Sequence, residues 1–350
     1  MVGRLKNADD AQVDPARARE SMDPKSLVTG ANGYTGSNLC SFLARRGVPT
    51  RGMYWEPDGT PDFSHENLEL VPGELRDRAS LDKALEGIET VYHVAALYRA
   101  TNVPNQVFWD VNVEGVRNMI ELSARHRVRR FVHCSTIGVH GHVENPPANE
   151  ASPIKPDDYY QYTKLEGEEV ARELGGKLGL EVSIVRPAAI YGSRERRFLK
   201  IPKGIQDRTW IRFGSGEVLY HFVHIDDLCE AFVACAERPE AVGETFIIAD
   251  DHALTLNEIV SIMADELGVS PPPWKLPLFV LTAASVAVEL ACKPFGIDPP
   301  LHRRRASWFT ATRSFDITKA RRLLAYAPRV RPEEGLRDMV RSYREAGWLR

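Results

Sequence analysis

Short apolar runs alternate with longer segments of helical periodicity over the first half of the chain. The apolar runs predict six successive strands, and the segments between them predict helices at 38–46, 81–85, 113–126 and 162–174. The predicted strands cover residues 27–28, 51–55, 68–71, 90–95, 130–134 and 182–186. Each connection is long enough for a right-handed crossover between parallel strands. The pattern therefore predicts an α/β domain, a doubly wound parallel sheet with helices on both faces.

The pattern becomes irregular after Pro187, and prolines at 271–273 and 299–300 mark further breaks. Residues 226–236 have helical periodicity and are predicted to pack back on the first domain. We therefore predict a disordered tail at 1–24, a larger domain at 25–190 that 217–243 rejoins, and a smaller C-terminal lobe built from 191–216 and 244–350.

Composition excludes several classes of protein. Of the 350 residues, 43% are hydrophobic and 27% are charged, and the net charge of −3 lacks the basic excess of a nucleic-acid-binding protein. The arginines at 303–305 are too few to change this. The five cysteines form no C-x-x-C pair, so we expect buried thiols in a reducing, cytoplasmic compartment.

Targeting and membrane segments are not predicted. Residues 1–24 lack the apolar core of a secretory signal. The most apolar stretch, 276–292, contains Pro277 and Glu289 and is shorter than the roughly 20 residues of a spanning helix. We expect no spanning segment, and contact with a membrane surface stays open for this stretch.

A glycine-rich motif directly follows the first predicted strand. Residues 29–36 read Thr-Gly-Ala-Asn-Gly-Tyr-Thr-Gly, and a helical pattern follows. Gly30 permits a tight turn, Gly33 lets the backbone approach a pyrophosphate, and Gly36 lets the helix pack against the strand. The helix N-terminus supplies N–H donors. This arrangement is typical of a Rossmann domain, so we predict NAD as the cofactor, with NADP as the alternative.

A carboxylate stands near the end of the second predicted strand. Glu56 follows Gly36 by about 20 residues, where it is placed to accept hydrogen bonds from the adenosine ribose. This position favours NAD over NADP. A solvated turn residue before Pro57 is the alternative interpretation.

Tyr160 and Lys164 lie four residues apart near the start of a predicted helix, which places both side chains on one face. An isolated tyrosine hydroxyl titrates at about 10, and a neighbouring ammonium group favours the phenolate. The pair is therefore a candidate for proton transfer, and Lys164 could also hold the nicotinamide ribose. Ser135 and Thr136 end the fifth predicted strand, at the sheet edge where open α/β folds bind ligands.

With these motifs the chain resembles the extended short-chain dehydrogenase/reductases, also called the NAD-dependent epimerase/dehydratase family, from residue 25 to 349. The remaining matching segments are Gly73-Glu74-Leu75, His93-Val94-Ala95-Ala96, Asn112-Val113-Glu114-Gly115, Ser135-Thr136, Arg186-Pro187 and the run from Phe222 to Asp227. The resemblance implies an enzyme that moves a hydride between a nicotinamide and a substrate carbon. It also implies a small-molecule substrate bound by the smaller lobe, and a homodimer.

The resemblance assigns roles to single residues. It places the catalytic Ser or Thr at Thr136, with Ser135 as the runner-up, beside Tyr160 and Lys164. Glu74 replaces an aspartate that flanks the adenine in the family. Together with the motif analysis, the resemblance implies cofactor contacts from Gly30, Asn32, Gly33, Tyr34, Gly36, Glu56, Glu74, Leu75, Ala95, Ala96, Asn112, Lys164, Pro187 and Ile190.

Two substrate classes stay open. The first is a hydroxyl or ketone oxidoreductase, nearest in its smaller lobe to the 3β-hydroxysteroid and sterol-4-carboxylate dehydrogenases. Tyr220 favours it, because nucleotide-sugar relatives usually carry a phosphate-binding arginine at this place, and the apolar run at 276–290 could border an apolar pocket. The second is a nucleotide-sugar epimerase or dehydratase, which the basic residues Arg194, Arg196, Arg197 and Lys200 keep open.

Two further hypotheses carry less weight. A non-catalytic, cofactor-sensing Rossmann protein is disfavoured because the chain keeps both Tyr160 and Lys164. A metal site is not predicted, because the candidate histidines lack metal-ligand spacing. These histidines are His93, His133, His140 and His142.

Overall fold

The computed structural model of the protein describes residues 25–98, 103–292 and 308–350. The predicted tail at 1–24 and the arginines at 303–305 lie outside these ranges. In chain order the strands are β1 Ser26–Thr29, β2 Thr50–Tyr54, β3 Leu68–Pro72, β4 Thr90–His93, β5 Arg130–Cys134, β6 Glu181–Pro187, β7 Ala189–Tyr191, β8 Arg212–Phe213, β9 Leu219–Tyr220, β10 Phe222–His224, β11 Thr245–Ile248, β12 Leu254–Thr255 and β13 Lys275–Leu276.

The helices alternate with these strands and then dominate the C-terminal part. They are α1 Tyr34–Arg45, α2 Arg78–Ala84, α3 Asn105–Trp109, α4 Gly115–Arg125, α5 Tyr159–Leu178, α6 Lys200–Gln206, α7 Ile225–Glu237, α8 Leu256–Leu267, α9 Leu278–Cys292, α10 Thr318–Leu324 and α11 Pro332–Glu345. Short 3₁₀ turns cover Glu56–Asp58, Ile137–His140, Arg196–Phe198 and Pro239–Ala241, and a π turn covers Asp110–Glu114.

Seven parallel strands form the central sheet in the order β11-β6-β5-β4-β1-β2-β3. One face buries α1 and α7, whose Leu39 and Phe232 share a core with Val132 of β5. The other face buries α2 and α4, whose Leu81 and Ile120 share a second core. The predicted Rossmann fold is therefore confirmed, and α7 returns to the sheet as the sequence predicts.

The sheet extends further than the sequence predicts. β11, absent from the predicted strands, pairs in parallel with β6, with Thr245 opposite Ile184. Its Phe246, Ile247 and Ile248 are buried in the same core as α1 and α7. The predicted start of the smaller lobe at 244 therefore differs from the structure. A strand of four residues, just after a helix that returns from that lobe, gives too short a pattern to separate from its surroundings.

The smaller lobe has a core of its own. Helices α6, α8 and α11 pack together with β9 and β10 around Phe222, Ile205, Ile259 and Met339. Residues of α10 belong instead to the core under β11, which includes Ala320 and Leu324. The lobe joins the larger domain where β7, directly after β6, pairs in parallel with β10.

The segment before and within α9 exposes large apolar side chains. Phe279 is 71% exposed and Trp274 is 59% exposed. None of the helices in the described ranges is long and apolar enough to cross a membrane.

Asp250 is a fully buried acid just beyond β11, and it makes stability depend on pH. It accepts a hydrogen bond from the His224 backbone N–H at 2.9 Å, and burial raises the pKa of its carboxyl to about 7. A carboxyl with a pKa above its unfolded value of about 3.9 stabilises the fold when protonated, and this contribution disappears as the pH rises through 7.

Between pH 5 and pH 8 this group is expected to cost the parent protein about 3 kcal/mol of unfolding free energy, and Asp250→Asn should abolish that loss. Chemical denaturation at both pH values measures this difference. The matched control is Asp251→Asn, since Asp251 is exposed and pairs with Arg321. An unaltered pH dependence in the Asp250 variant would contradict the assignment.

Candidate functional site

The glycine motif forms the turn between β1 and α1. Gly30 has φ +78°, and a Cβ there would lie 3.0 Å from Ala95 Cα. A Cβ on Gly36 would collide with the Gly30 carbonyl. Gly33 has φ −85° and caps α1, and its Cβ would meet only the Gly30 carbonyl oxygen, at 3.3 Å. Gly30 and Gly36 are therefore needed for packing, whereas Gly33 leaves an open face.

That open face fits the pyrophosphate of a dinucleotide. α1 has no side-chain N-cap, so its first-turn N–H groups point outward beside exposed Gly33. A side chain at Gly33 would fill this space. Backbone donors and the positive end of the helix dipole suit an anion.

The adenine side of the motif differs in detail from the prediction. Trp55, not Glu56, is the first residue after β2, and its carbonyl accepts a hydrogen bond from Asn32 Nδ2 at 2.9 Å. The Trp55 indole donates to Glu74 Oε2 at 3.0 Å. Arg76 donates to both oxygens of Glu74, at 2.8 and 3.0 Å, and these bonds lower the pKa of that carboxyl.

Glu56 lies in the exposed 3₁₀ turn beyond this cluster. The ionised carboxylate held beside the motif is therefore Glu74, through contacts with Trp55 and Arg76 that the sequence analysis missed. The signal in the sequence that could have indicated these contacts is Trp55, the aromatic residue directly after β2.

Hydrogen bonds from Thr29 and Asn112 hold the loop after β4 in place. The Thr29 hydroxyl oxygen accepts hydrogen bonds from the backbone N–H groups of Val94 and Ala95, both at 3.0 Å. Asn112 accepts from Leu97 N at 2.8 Å and donates to the Leu97 carbonyl at 3.1 Å. These bonds fix the stretch that contains Ala95 and Ala96.

Asn112 also ties this loop to α5. Its amide donates to Thr163 Oγ1 at 3.0 Å, beside Lys164. Asn112 lies in the π turn, and a Cβ on Gly167 of α5 would come within 2.6 Å of its carbonyl oxygen. Leu75 is buried below, against Gly115. The structure thus gives Asn112 a positioning function, and π turns often mark functional sites.

Tyr160 and Lys164 occupy the first two turns of α5, which Asp158 caps by accepting from Gln161 N at 2.8 Å. Tyr160 is half-buried, and Lys164 is 1% exposed. Burial lowers the pKa of the Lys164 ammonium and raises the pKa of the Tyr160 phenol. Among the charges that act on Tyr160, that of Arg197 lowers its pKa. The sequence analysis assigned this effect to Lys164.

The two hydroxyl candidates at the end of β5 have different surroundings. Thr136 is half-buried, and its oxygen accepts from Gly138 N at 3.0 Å, so its proton stays available to donate. The Ser135 hydroxyl is buried and donates to the Glu168 carboxylate. Of the two, Thr136 is therefore the partly exposed hydroxyl whose proton is not committed to Glu168.

Ser135 belongs to a buried polar network behind the cleft. Arg186 donates to Glu168 at 2.6 and 2.9 Å and to His140 Nε2 at 3.1 Å. Because arginine only donates, His140 accepts at Nε2 and donates from Nδ1 to the Pro153 carbonyl at 3.2 Å. Burial accordingly lowers the pKa of this neutral histidine to about 4. The network fixes β5, β6 and α5 relative to one another.

The segment after β6 contacts the glycine motif. Pro187 ends β6, and half-buried Ile190 lies in β7, with its carbonyl accepting from Arg197 at 2.7 Å. The Tyr34 hydroxyl donates to the Ser193 carbonyl at 3.3 Å. The glycine motif and this segment therefore meet across the site.

Tyr220 is packed in an aromatic cluster of the smaller lobe. It is 3% exposed, its ring stacks on Trp308 with centroids 4.6 Å apart, and its hydroxyl donates to the Trp308 carbonyl. The position is therefore filled by aromatic packing.

An uncapped helix that follows a glycine-rich turn, together with a tyrosine and a buried lysine on α5, is the arrangement expected of a nicotinamide-dependent enzyme. The profile of the NAD dependent epimerase/dehydratase family matches residues 26–249, so the chain belongs to this family and uses NAD. The family was thus recognised correctly from its motifs.

Relatives of the chain include both kinds of enzyme that the sequence left open. The 3beta-hydroxysteroid-dehydrogenase/decarboxylase isoform 2 of Arabidopsis thaliana is 32% identical over 351 residues, which cover 91% of this chain and 61% of that protein. The N-acetyl-alpha-D-glucosaminyl-diphospho-ditrans,octacis-undecaprenol 4-epimerase of Escherichia coli O157:H7 is 27% identical, covering 85% and 89%.

A solved structure supports the fold over nearly the whole chain. The crystal structure of gox2253 superposes with a TM-score of 0.79 at 26% identity, covering 94% of this chain and 100% of that one. The family and fold therefore establish an enzyme of the extended short-chain type, and its substrate class has to be inferred from the site.

Proposed function

We propose that the chain is an NAD-dependent oxidoreductase that transfers a hydride between the nicotinamide and a secondary alcohol or ketone of a hydrophobic, steroid-like substrate. The observation that carries this proposal is Tyr220. Its hydroxyl is bound to the Trp308 carbonyl and its ring is stacked, so this position offers no cationic fork to a diphosphate. The steroid-dehydrogenase name of the plant relative agrees with this choice.

In this proposal the backbone N–H groups at the N-terminus of α1, beside Gly33, would hold the pyrophosphate of NAD, and Glu74 would lie beside its adenine. Bound NAD would supply the hydride acceptor at its nicotinamide ring. Lys164 would hold the nicotinamide ribose, and Pro187 and Ile190 would border the ring. Each of these residues lies at the carboxyl edge of the sheet or on an element that borders it.

Proton transfer is the work of the chain itself. Thr136 donates a hydrogen bond that orients the substrate oxygen, and Tyr160 accepts the hydroxyl proton as the C–H hydride leaves. In the reverse direction, Tyr160 returns the proton to the carbonyl oxygen. Ser135 supports this geometry from behind, because its own proton is committed to Glu168.

The proposal also covers the compartment, the oligomeric state and the membrane contact of the enzyme. We propose a cytoplasmic homodimer, as the family resemblance implies, with four of its five cysteines buried as free thiols. The exposed Trp274, Leu276 and Phe279 lie together in sequence before and within α9 and support contact between the smaller lobe and a membrane surface that holds apolar substrate.

Ligand-induced stabilisation of the NAD-loaded protein tests the substrate class. We expect UDP and dTDP to shift the melting temperature little, and a hydroxysteroid to shift it clearly. A ligand at about 100 times its Kd adds about 2.7 kcal/mol to the free energy of unfolding. Turnover of the stabilising alcohol is followed as NADH absorbance.

Tyr220→Arg is the matched variant, because it introduces the phosphate-binding arginine that nucleotide-sugar relatives usually carry at this position. A large shift with UDP or dTDP in the parent protein, with none from steroid alcohols or ketones, would replace this proposal with a nucleotide-sugar epimerase or dehydratase. NAD binding without turnover of any alcohol, ketone or nucleotide sugar would favour a non-catalytic cofactor sensor.

A further inference from the structure

Arg197 lies in the 3₁₀ turn after β7 and reaches toward the catalytic tyrosine from the smaller lobe. Its guanidinium donates to Glu195 Oε1 at 2.9 Å and to the Ile190 carbonyl at 2.7 Å. Its central carbon lies 5.9 Å from the centroid of the Tyr98 ring. The Tyr98 ring in turn meets the Tyr160 ring edge-on, with centroids 4.9 Å apart. An unbroken contact therefore runs from Arg197 through Tyr98 to Tyr160.

Hydrogen bonds within the turn and to α11 hold the turn around Arg197 in place. The Glu195 side chain is 4% exposed and also caps this turn by accepting from Arg197 N at 2.9 Å. The Glu195 backbone carbonyl accepts the hydroxyl of Tyr343 on α11. The guanidinium is thus held by Glu195 of its own turn and by the Ile190 carbonyl of β7, and Tyr343 ties that turn to α11 of the smaller lobe.

The groups that face Tyr160 carry charges of both signs. Tyr98 stands on the loop after β4, Cys134 ends β5, Asp158 caps α5, and Arg197 approaches from the smaller lobe. Burial, Tyr98, Cys134 and Asp158 all raise the pKa of the phenol, whereas Arg197 lowers it. Lys164 follows one turn later on α5, where it is itself buried.

We infer that Arg197 is a positioning residue for the proposed reaction, holding the Tyr98 ring against Tyr160 and supplying a positive charge that favours the Tyr160 phenolate. This inference rests on the proposed function, because it assumes that Tyr160 exchanges the substrate proton. It assigns the smaller lobe a function in catalysis besides substrate binding.

Titration of Tyr160 in the NAD-loaded protein tests the inference without any need for turnover. All tyrosines are replaced biosynthetically by 3,5-difluorotyrosine, which ionises at lower pH, and the Tyr160 signal is assigned by its loss in Tyr160→Phe. Arg197→Gln removes the charge but keeps a hydrogen-bonding side chain. We expect the ¹⁹F titration midpoint of Tyr160 to rise by about one pH unit.

Arg196→Gln is the matched control, because Arg196 is the adjacent arginine and stacks on Trp348, 4.6 Å from the ring centroid. Its midpoint should equal that of the parent, and Arg197→Lys should fall between the parent and Arg197→Gln. An unchanged midpoint in folded Arg197→Gln, or an equal rise in Arg196→Gln, would overturn the inference.

Kinetics in the oxidation direction separate this inference from the proposed function. If a substrate alcohol turns over, the acidic limb of the kcat profile should move to higher pH in Arg197→Gln, and activity should recover at high pH. A fall in kcat that is uniform over the whole pH range would show a merely structural effect and would also overturn the inference. Absence of turnover in the parent contradicts the proposed function, while the ¹⁹F titration still decides the status of Arg197.

Discussion

Replacing Tyr160 with Phe is expected to lower turnover by about 10² to 10⁴-fold, the usual contribution of a general acid or base, while NAD binds as tightly as before. The substitution removes one hydroxyl and keeps the ring that packs against Tyr98. Steady-state kinetics and calorimetric titration with NAD measure the two effects separately.

Tyr162→Phe provides the matched control two residues away. Tyr162 is 41% exposed and packs against Trp109 and Tyr159 on the outer side of α5, so its loss of a hydroxyl should leave turnover unaltered. Activity of Tyr160→Phe within about twofold of the parent would exclude Tyr160 as the proton-transfer group.

The second large effect is expected from Gly33→Val, which should weaken the binding of both NAD and NADP by at least about tenfold, or 1.4 kcal/mol. The new side chain would occupy the face where the pyrophosphate meets the N-terminus of α1. The fold should survive, because Gly33 has an ordinary φ of −85° and a Cβ there meets one carbonyl oxygen at 3.3 Å.

A glycine far from the cofactor controls for the change in backbone freedom. Gly176 lies in α5 with no atom within 4 Å of an added Cβ, so Gly176→Val should bind NAD normally. Undiminished NAD affinity in a folded Gly33→Val protein would mean that the glycine motif is only a structural turn.

Most of the sheet was predictable, because β1, β4 and β5 are buried runs and a helical pattern follows each of them. β2 and β3, which only a 3₁₀ turn separates, were predicted from their short apolar runs alone. β11 gave no such signal, since its four residues form a strand only by pairing with β6, whose partner residues lie 61 positions earlier in the chain. The same limit applies to the boundary of the smaller lobe. Both depend on pairing between segments that are far apart in the sequence, and a local pattern of apolar and polar residues cannot indicate such pairing.

The candidate site was predictable where its residues sit in short motifs. The glycine turn and the spacing of Tyr160 and Lys164 are local features, and the structure places them on the expected elements. The resemblance placed Thr136 first and Ser135 second, but the physical difference between them could not be read from the sequence, because it arises from Glu168 on α5. Arg197 was counted among the basic residues that keep a nucleotide-sugar substrate open, since only the fold brings it to Tyr98.

The network of Ser135, Glu168, Arg186 and His140 restricts which substitutions the protein can accept at these positions. Replacing one member of the Glu168–Arg186 pair leaves an unmatched charge in the interior, which commonly costs about 3 to 5 kcal/mol, whereas replacing both by well-packed apolar groups is often neutral. Here a joint replacement would also leave the Ser135 hydroxyl and His140 Nε2 without their partners. The four positions therefore form one epistatic unit, in which a change at any of them is tolerated only in company with the others.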